Sequence, residues 1–563
     1  MAKRKEVIFI LCLFLSVILL ISGVSMAAFS YSGIGEKVNK ITTGYITMEY
    51  TESSNTISLN GALPTTDSTG MIRLSDGEYF DFTISSTIVG DTNINYEISA
   101  KDVTDSDAKK IDGKYIKLYL TKINNDGSET SLMAPDVYTE DTSENVYTGR
   151  PAGEMSLYTS SMGGSESNDY RLRLYVDEDY NPQDDGGDLT FSVKVNVYGQ
   201  SGDKYVPETT KTILADNSLQ EEKLTMFNYT SNGLQFNKSE QDSNYVTSGL
   251  YSSEDDDGTS YYYRGDIDNN NVQFGSYDED YYVYKTTSPT SSSTEYIFQT
   301  LSSCQAFNST CTESNKIKLA SAGEKMYWKI IRVNGDGSLR LIYNGTSITP
   351  TSTSNTIGVT PYNQTITDKK YTGYTYDGTA SLIKKEVDTW YKNTLGASNY
   401  NTKVTGGRFC SDTSDLNTTN NLLMGISGAP FQRLGQPLTG LKEDNYPTLK
   451  CPTTSEKYGG SYRLKAGLIT ADELVFAGKA INTNNTIYLD KDTTNPFWTM
   501  TPAGYSNSAG LGYVGAQMFI SNTSLTYNFA NNQGYIRPVI NVSTFDDFAS
   551  GDGTSSNPYV LSI

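Results

Sequence analysis

Histidine is absent from all 563 residues. Its absence removes the Ser-His and Cys-His nucleophile couples, the imidazole metal ligand and the histidine proton shuttle. Carboxylate pairs remain available for acid–base chemistry, but no catalytic constellation stands out. The chain reads as a non-enzyme with no catalytic residues, no metal site and no cofactor. Basic residues are also few: 44 Lys and Arg stand against 65 Asp and Glu, a formal charge of -21. This argues against a nucleic-acid partner, because neutralising phosphates takes clustered cations, and none follow the first five residues. Beyond residue 28 no apolar run is long enough to span a membrane.

The chain is rich in uncharged polar residues and in tyrosine, of which there are 43. Such a composition suits exposed β structure, where branched and aromatic side chains fit a pleated, half-buried surface. The length exceeds what one core organises, so two or more domains are expected. Residues 1–28 have the layout of a secretory signal peptide. Lys3, Arg4 and Lys5 precede an apolar run from Val7 to Val24, and Ser25-Met26-Ala27-Ala28 supplies small residues for cleavage. The same run is long enough to cross a bilayer if it is retained, so any membrane contact is expected through this segment alone. The mature chain is expected outside the cell.

Residues 29–214 read as an all-β domain. In "LTFSVKVNVYG" Leu189, Phe191, Val193, Val195 and Val197 share one face. Ile116, Leu118 and Leu120 do so before an Asn-Asp-Gly turn, as do Phe80, Phe82 and Ile84, and Leu172, Leu174 and Val176. Many strands with one apolar face each predict two packed sheets, a sandwich or jelly roll. Residues 215–258 read as an acidic polar linker, with the run Glu254 to Asp257 a solvated loop. Residues 259–563 read as α+β. "MYWKIIRVNGDGSLRLIYNG" predicts a hairpin about Asn334-Gly335-Asp336-Gly337. "ASLIKKEVDTWYKNTLG" predicts an amphipathic helix closed by Gly396. "ITADELVFAGKAI" predicts another, opened by a capping box of Thr470 and Glu473.

Two resemblances add to this reading. "AAFSYSGIGEKVNKITTGYITMEYTE" resembles the start of the TasA/camelysin family of exported bacterial surface proteins, through Ala28, Phe29, Ser30, Asn39, Ile41, Thr43, Gly44 and Ile46. "LSDGEYFDFTISSTIVGDTNINYEISA" resembles the hairpin that follows in that family. The resemblance covers about the first third of the chain. It implies a jelly-roll domain, export, and self-assembly into matrix or biofilm fibres by β-strand addition. The remainder resembles an uncharacterised domain of Gram-positive surface proteins, through "YYYRGDIDNNNVQFG", "YWKIIRVNGDGSLRLIY", "FCSDTSD", "YPTLKCP", "GLITADELVFAG", "FWTMTPA" and "YIRPVINV". Its layout is similar to the superfold of C-type lectins and the formylglycine-generating enzyme. The reactive cysteine pair of the enzyme branch is missing, as is the Glu-Pro-Asn type of triplet that binds calcium and sugar in many lectins. The resemblances imply a secreted structural or adhesive protein, or alternatively a lectin-like module. Its partners would be further copies of itself, or glycans or proteins of the cell wall, host or matrix.

Four cysteines follow Cys12: Cys304, Cys311, Cys410 and Cys451. An even number in an exported chain predicts disulfides, with three pairings open in principle. The closeness of Cys304 to Cys311, and the family's pattern, in which the other two occur together, favour 304–311 and 410–451. A zinc site lacks Cys-x-x-Cys spacing. "YYYRGDIDNNNVQFG" carries an Arg264-Gly265-Asp266 adhesion tripeptide and a calcium-loop-like alternation of Asp266, Asp268 and Asn270. It lacks the glycine and glutamate of such a loop, with Asn271 and Tyr277 in their places, and reads as strand–turn–strand. Val176 to Asp188 is an acidic turn of the kind that holds a loop-bound Ca2+, although such tips are usually only turns.

Overall fold

The computed structural model describes residues 29–561 with interruptions. Those of seven residues or more are 31–38, 182–188, 237–247, 413–433, 435–446, 452–459 and 480–486. Segment 1–28 therefore lies outside the described residues, as does most of the acidic turn between Val176 and Asp188. The chain is mostly β, with several antiparallel sheets, and divides into two units: residues 1–130 with 136–205, and residues 131–135 with 206–563.

In the first unit the alternating segments become paired strands. Thr190–Gly202 is central to one sheet, with Asn93–Asp102 on one side and Thr56–Asn60 and Phe29–Ser30 on the other. The second sheet runs Asp136–Val137, Ile116–Ile123, Ser167–Asp177, Tyr79–Ile88, Gly44–Tyr50, Asn39–Ile41. Phe191, Val193 and Val195 of the first sheet are fully buried, as are Leu118, Leu120, Leu172 and Leu174 of the second. The hydroxyls of Tyr96 and Tyr170, one from each sheet, meet at 2.7 Å in the interior. The Asn124–Gly127 turn forms as its Asn-Asp-Gly predicts, with Gly127 at φ 80°.

Polar groups are buried here too. Glu97 is fully enclosed and accepts from Arg150 Nε at 2.7 Å, Thr148 Oγ1 at 2.6 Å and Asn145 Nδ2 at 2.8 Å. Glu154 accepts from Ser99, Asn196 and Tyr198. These two carboxylates are saturated with donors and bind the 141–154 segment to the sheet. On the other sheet Glu129 binds both Arg171 (2.8 Å) and Arg173 (2.7 Å). Burial pushes Glu129 up, but Arg173, Thr121 and Arg171 outweigh it and hold the carboxyl at about 2.

The second unit has two large sheets. One runs Leu219–Gln220, Gly249–Asp255, Gly258–Arg264, Lys325–Val333, Leu339–Tyr343, Val539–Val542, Val404–Thr405. The other runs Lys316–Ala320, Tyr281–Ser288, Ser291–Phe298, Gly358–Thr360, Gly534–Ile536, Phe497–Ser508, Gly512–Ser521, Ser524–Phe529. All three tryptophans are buried with the indole N–H satisfied: Trp328 by Phe274 O, Trp390 by Tyr277 Oη and Trp498 by Thr360 O. Helix Leu382–Asn393 is capped by Ser381 and buries Ile383, Val387 and Trp390 as its periodicity predicts. It ends at Thr394, and Gly396 lies in a 3-10 turn beyond it.

Three expectations are corrected. The boundary falls at 205–206 instead of 214, because helix Glu208–Asp216 buries Ile213 in the core of the second unit. The stretch 215–258 is not a linker throughout: Gly249–Asp255 is a sheet strand whose Leu250 and Tyr251 are buried. The run Glu254 to Asp257 is not simply solvated, since Asp255 is buried and bonded to Arg332. The strand–turn–strand reading of 261–275 holds, with Gly258–Arg264 and Asn271–Ser276 both paired to Lys325–Val333. Arg264 is 1% exposed, lies 4.4 Å over the Tyr251 ring and donates to Phe476 O. Buried in this way, it is not presented to a receptor as part of an adhesion tripeptide.

Two outcomes are expected. Replacing Arg150 by Met leaves Glu97 buried without its cation and should cost about 3–5 kcal/mol in urea unfolding, much of it recovered by adding Glu97→Gln. Glu386, on helix Leu382–Asn393, is buried, accepts from Gln299 N at 2.6 Å, and is pushed by desolvation from 4.5 up to about 7. A carboxyl whose folded pKa is raised stabilises fully below its unfolded pKa and loses that stabilisation as pH rises through 7. Glu386→Gln should therefore raise Tm above neutrality and flatten the fall in Tm with pH; an unchanged profile would contradict the assignment.

Candidate functional site

The Asn334–Gly337 turn sets the register that builds the site. It closes with Asn334 N donating to Ser338 O, needs Gly337 at φ 84°, and places Arg332 directly opposite Arg340. Like charges in that position repel. Glu473 resolves the conflict from the first turn of helix Ala471–Phe476. Its Oε1 lies 3.1 Å from Arg332 Nε and 2.5 Å from Arg340 Nε, and its Oε2 lies 3.3 Å from Arg340 Nη2. The same residue completes the expected capping box, accepting from Thr470 N at 3.0 Å while Thr470 Oγ1 accepts from Glu473 N. The helix is six residues long, and Leu474 and Ala477 are buried as expected, whereas Ile481 lies outside the described residues.

A second arginine pair lies beside the first. Strands Gly407–Ser411 and Gly460–Leu464 put Arg408 opposite Arg463. Asp257 binds both, at 3.1 Å from Arg408 Nη2 and 3.1 Å from Arg463 Nη2. The neighbouring acids of the tight turn after Gly249–Asp255 complete the set. Asp255 Oδ2 binds Arg332 at 2.5 Å, and Asp256 Oδ2 accepts from Cys451 N at 2.9 Å. Gly335 is obligatory here: its N–H donates to Asp255, and a Cβ would come within 2.4 Å of Gly258 N. Burial pushes Glu473 and Asp257 up, but the flanking guanidiniums win and hold both below the usual carboxylate range. Arg340, desolvated and facing Arg332, is lowered to about 10 despite Glu473.

The first arginine pair, Glu473 and Arg408 form part of the wall of a cavity of about 300 Å³. Arg332, Arg340 and Arg408 line it with Glu473, Asp472, Asp412 and the exposed Lys450. The Cys410–Cys451 disulfide forms another part, with Leu449 beside it. The four cysteines are bonded as 304–311 and 410–451. Only the second bridge lies at the cavity; the first ties helix Leu301–Phe307 to the loop after it. By loop entropy the bridges contribute about 2 and about 4 kcal/mol for separations of 7 and 41. Among the described residues no group of three or more Cys, Asp or Glu side chains is placed to hold a metal ion. No helix among them is long and apolar enough to cross a membrane. Asp268 and Asn270, of the calcium-like alternation, bond to Ser555 and to Ile330 O.

The cysteines at the cavity were legible in the sequence, whereas its arginines and aspartates were not. A signal was present, because Arg332 and Arg340 flank a four-residue turn, and hairpin register alone puts them on one face. No family model and no curated protein matches the chain.

Glu473→Gln should cost well over 3 kcal/mol, since it leaves Arg340 buried without its acid and facing Arg332, which keeps Asp255, whereas Thr470→Ala, which removes only the cap, should cost about 1 kcal/mol. Comparable losses in the two would deny Glu473 its second role. Because Glu473 and Asp257 have depressed folded pKa values, the stability they supply is present above about pH 4 and lost as pH falls through their lower folded values. Denaturant melts at decreasing pH should show the second unit weakening in that range, and Glu473→Gln should reduce the effect.

Proposed function

We propose that the chain is an exported bacterial surface protein with a structural and adhesive role. In this reading the first unit is a TasA-like jelly roll that assembles with further copies, and the second is a displayed, C-type-lectin-like domain. The observation that carries the assembly role is the pairing of Phe29–Ser30 with Thr190–Gly202 at Gly199 and Tyr198. This short strand directly follows the signal segment and lies on a sheet edge. An equivalent strand from another copy would find the same backbone donors and acceptors there. The two disulfides support an oxidising, extracellular location. Purified protein beginning at Phe29 is expected to form filaments or surface-associated multimers by electron microscopy and light scattering. Removing residues 29–38 should abolish them. A strictly monomeric protein at high concentration would overturn the proposal.

A second reading, a lectin-like module for a glycan or protein of the cell wall, host or matrix, is favoured by the polar cavity of the second unit. Binding of the full mature chain to a broad array of glycans and matrix proteins tests it, and silence across the array counts against it.

A further inference from the structure

We propose that the cavity bounded by the Arg332–Arg340 pair, Arg408, Lys450, Asp412 and Asp472 is a saccharide site that accepts one neutral sugar unit. This rests on the reading of the second unit as a binding module, and it adds a place and a ligand class.

Size is the first argument. A cavity of about 300 Å³ is at the lower limit of small-molecule sites, which suits a terminal sugar and not an extended chain.

Charge is the second. The guanidiniums are already matched: Arg332 by Asp255 and Glu473, Arg340 by Glu473, Arg408 by Asp256 and Asp257. An anion would enter a site whose positive charges are neutralised, and would meet Asp412 and Asp472 on the wall. A cation would meet Lys450. A neutral ligand avoids both penalties.

Hydrogen-bond capacity is the third. The wall mixes groups that only donate, the guanidiniums and ammonium, with groups that only accept, the carboxylates. A hydroxyl can donate to one and accept from the other at once, and a sugar ring carries several hydroxyls at fixed spacing. Leu449 and the Cys410–Cys451 bridge supply an apolar surface for the C–H face of such a ring.

Rigidity is the fourth. Arg340 is 1% exposed, its guanidinium lies 4.2 Å over the Phe409 ring, and it donates to Arg408 O at 3.1 Å. Asp472 accepts from Thr448 N at 2.9 Å, and the disulfide fixes strand Gly407–Ser411 to Cys451. Side chains held in place before a ligand arrives lose little entropy when it binds.

The test is calorimetric titration of the full mature protein with glucose, galactose, mannose, N-acetylglucosamine and N-acetylgalactosamine, with sulfate, glucuronate and ethylammonium as charged probes. At least one neutral sugar should bind at one site per chain, and its Kd should rise tenfold or more in Lys450→Ala and in Asp412→Asn. Lys450 is exposed, so its variant should keep the parent Tm and stay informative if Asp412→Asn folds poorly. No binding of any neutral sugar, binding that Lys450→Ala leaves unchanged, or preferential binding of a charged probe would each overturn the proposal. Array binding that free sugar does not compete would leave the module reading intact and overturn this site alone. An array with no ligand of any kind would remove the module reading itself.

Discussion

The second unit depends on cross-strand arginine pairs, each bridged by a carboxylate that the two arginines share. Arg332 and Arg340 face one another by hairpin register, and so do Arg408 and Arg463. Each pair converges on one acid, Glu473 for the first and Asp257 for the second. Removing either acid would leave like charges in contact under poor solvation, which is the costly way to break a buried ionic group. The geometry of the cavity wall follows from this constraint, because the guanidiniums that line it are positioned by the carboxylates bound to them. The first unit uses a same-strand version of this arrangement, where Arg171 and Arg173, two residues apart on Ser167–Asp177, share Glu129.

Such networks specify more than they stabilise. Desolvating four arginines and their acids consumes most of the Coulombic gain, so apolar packing supplies the bulk of stability. In the second unit that packing comes from Trp328, Trp390 and Trp498 and the strands around them, with every indole N–H satisfied. The ion pairs instead fix which strand end meets which. Asp255, Asp256 and Asp257 reach Arg332, Cys451 N and the Arg408–Arg463 pair from one turn, so a shift of the Gly249–Asp255 strand by one residue would break all three connections.

Local features of the fold were legible and long-range ones were not. Alternation gave the strands at Thr190–Gly202 and Ile116–Ile123, and Asn-Gly-Asp-Gly gave the 334–337 turn. The Thr470–Glu473 spacing gave a helix start, because a capping box is contained in four residues. The second role of Glu473 depends on arginines more than 130 positions earlier, which no local pattern encodes. The run Glu254 to Asp257 reads as solvated for the same reason: its partners lie at 332, 408, 451 and 463. Helix Glu208–Asp216 has little helical signature in the sequence, because β-branched Thr209 and Thr210 occupy its first turn and only Ile213 among its apolar side chains is buried. The Arg-Gly-Asp tripeptide was visible as letters, but the burial of its arginine follows from Tyr251 and Phe476, which tertiary packing brings to it.

The bond between Cys410 and Cys451 also has a mechanical consequence. If the chain is held at one end and pulled at the other, 41 positions of its contour stay locked behind a covalent shortcut. Extended, they would add roughly 140 Å. Unravelling of the second unit under load therefore stops short by that length for as long as the sulfurs remain oxidised.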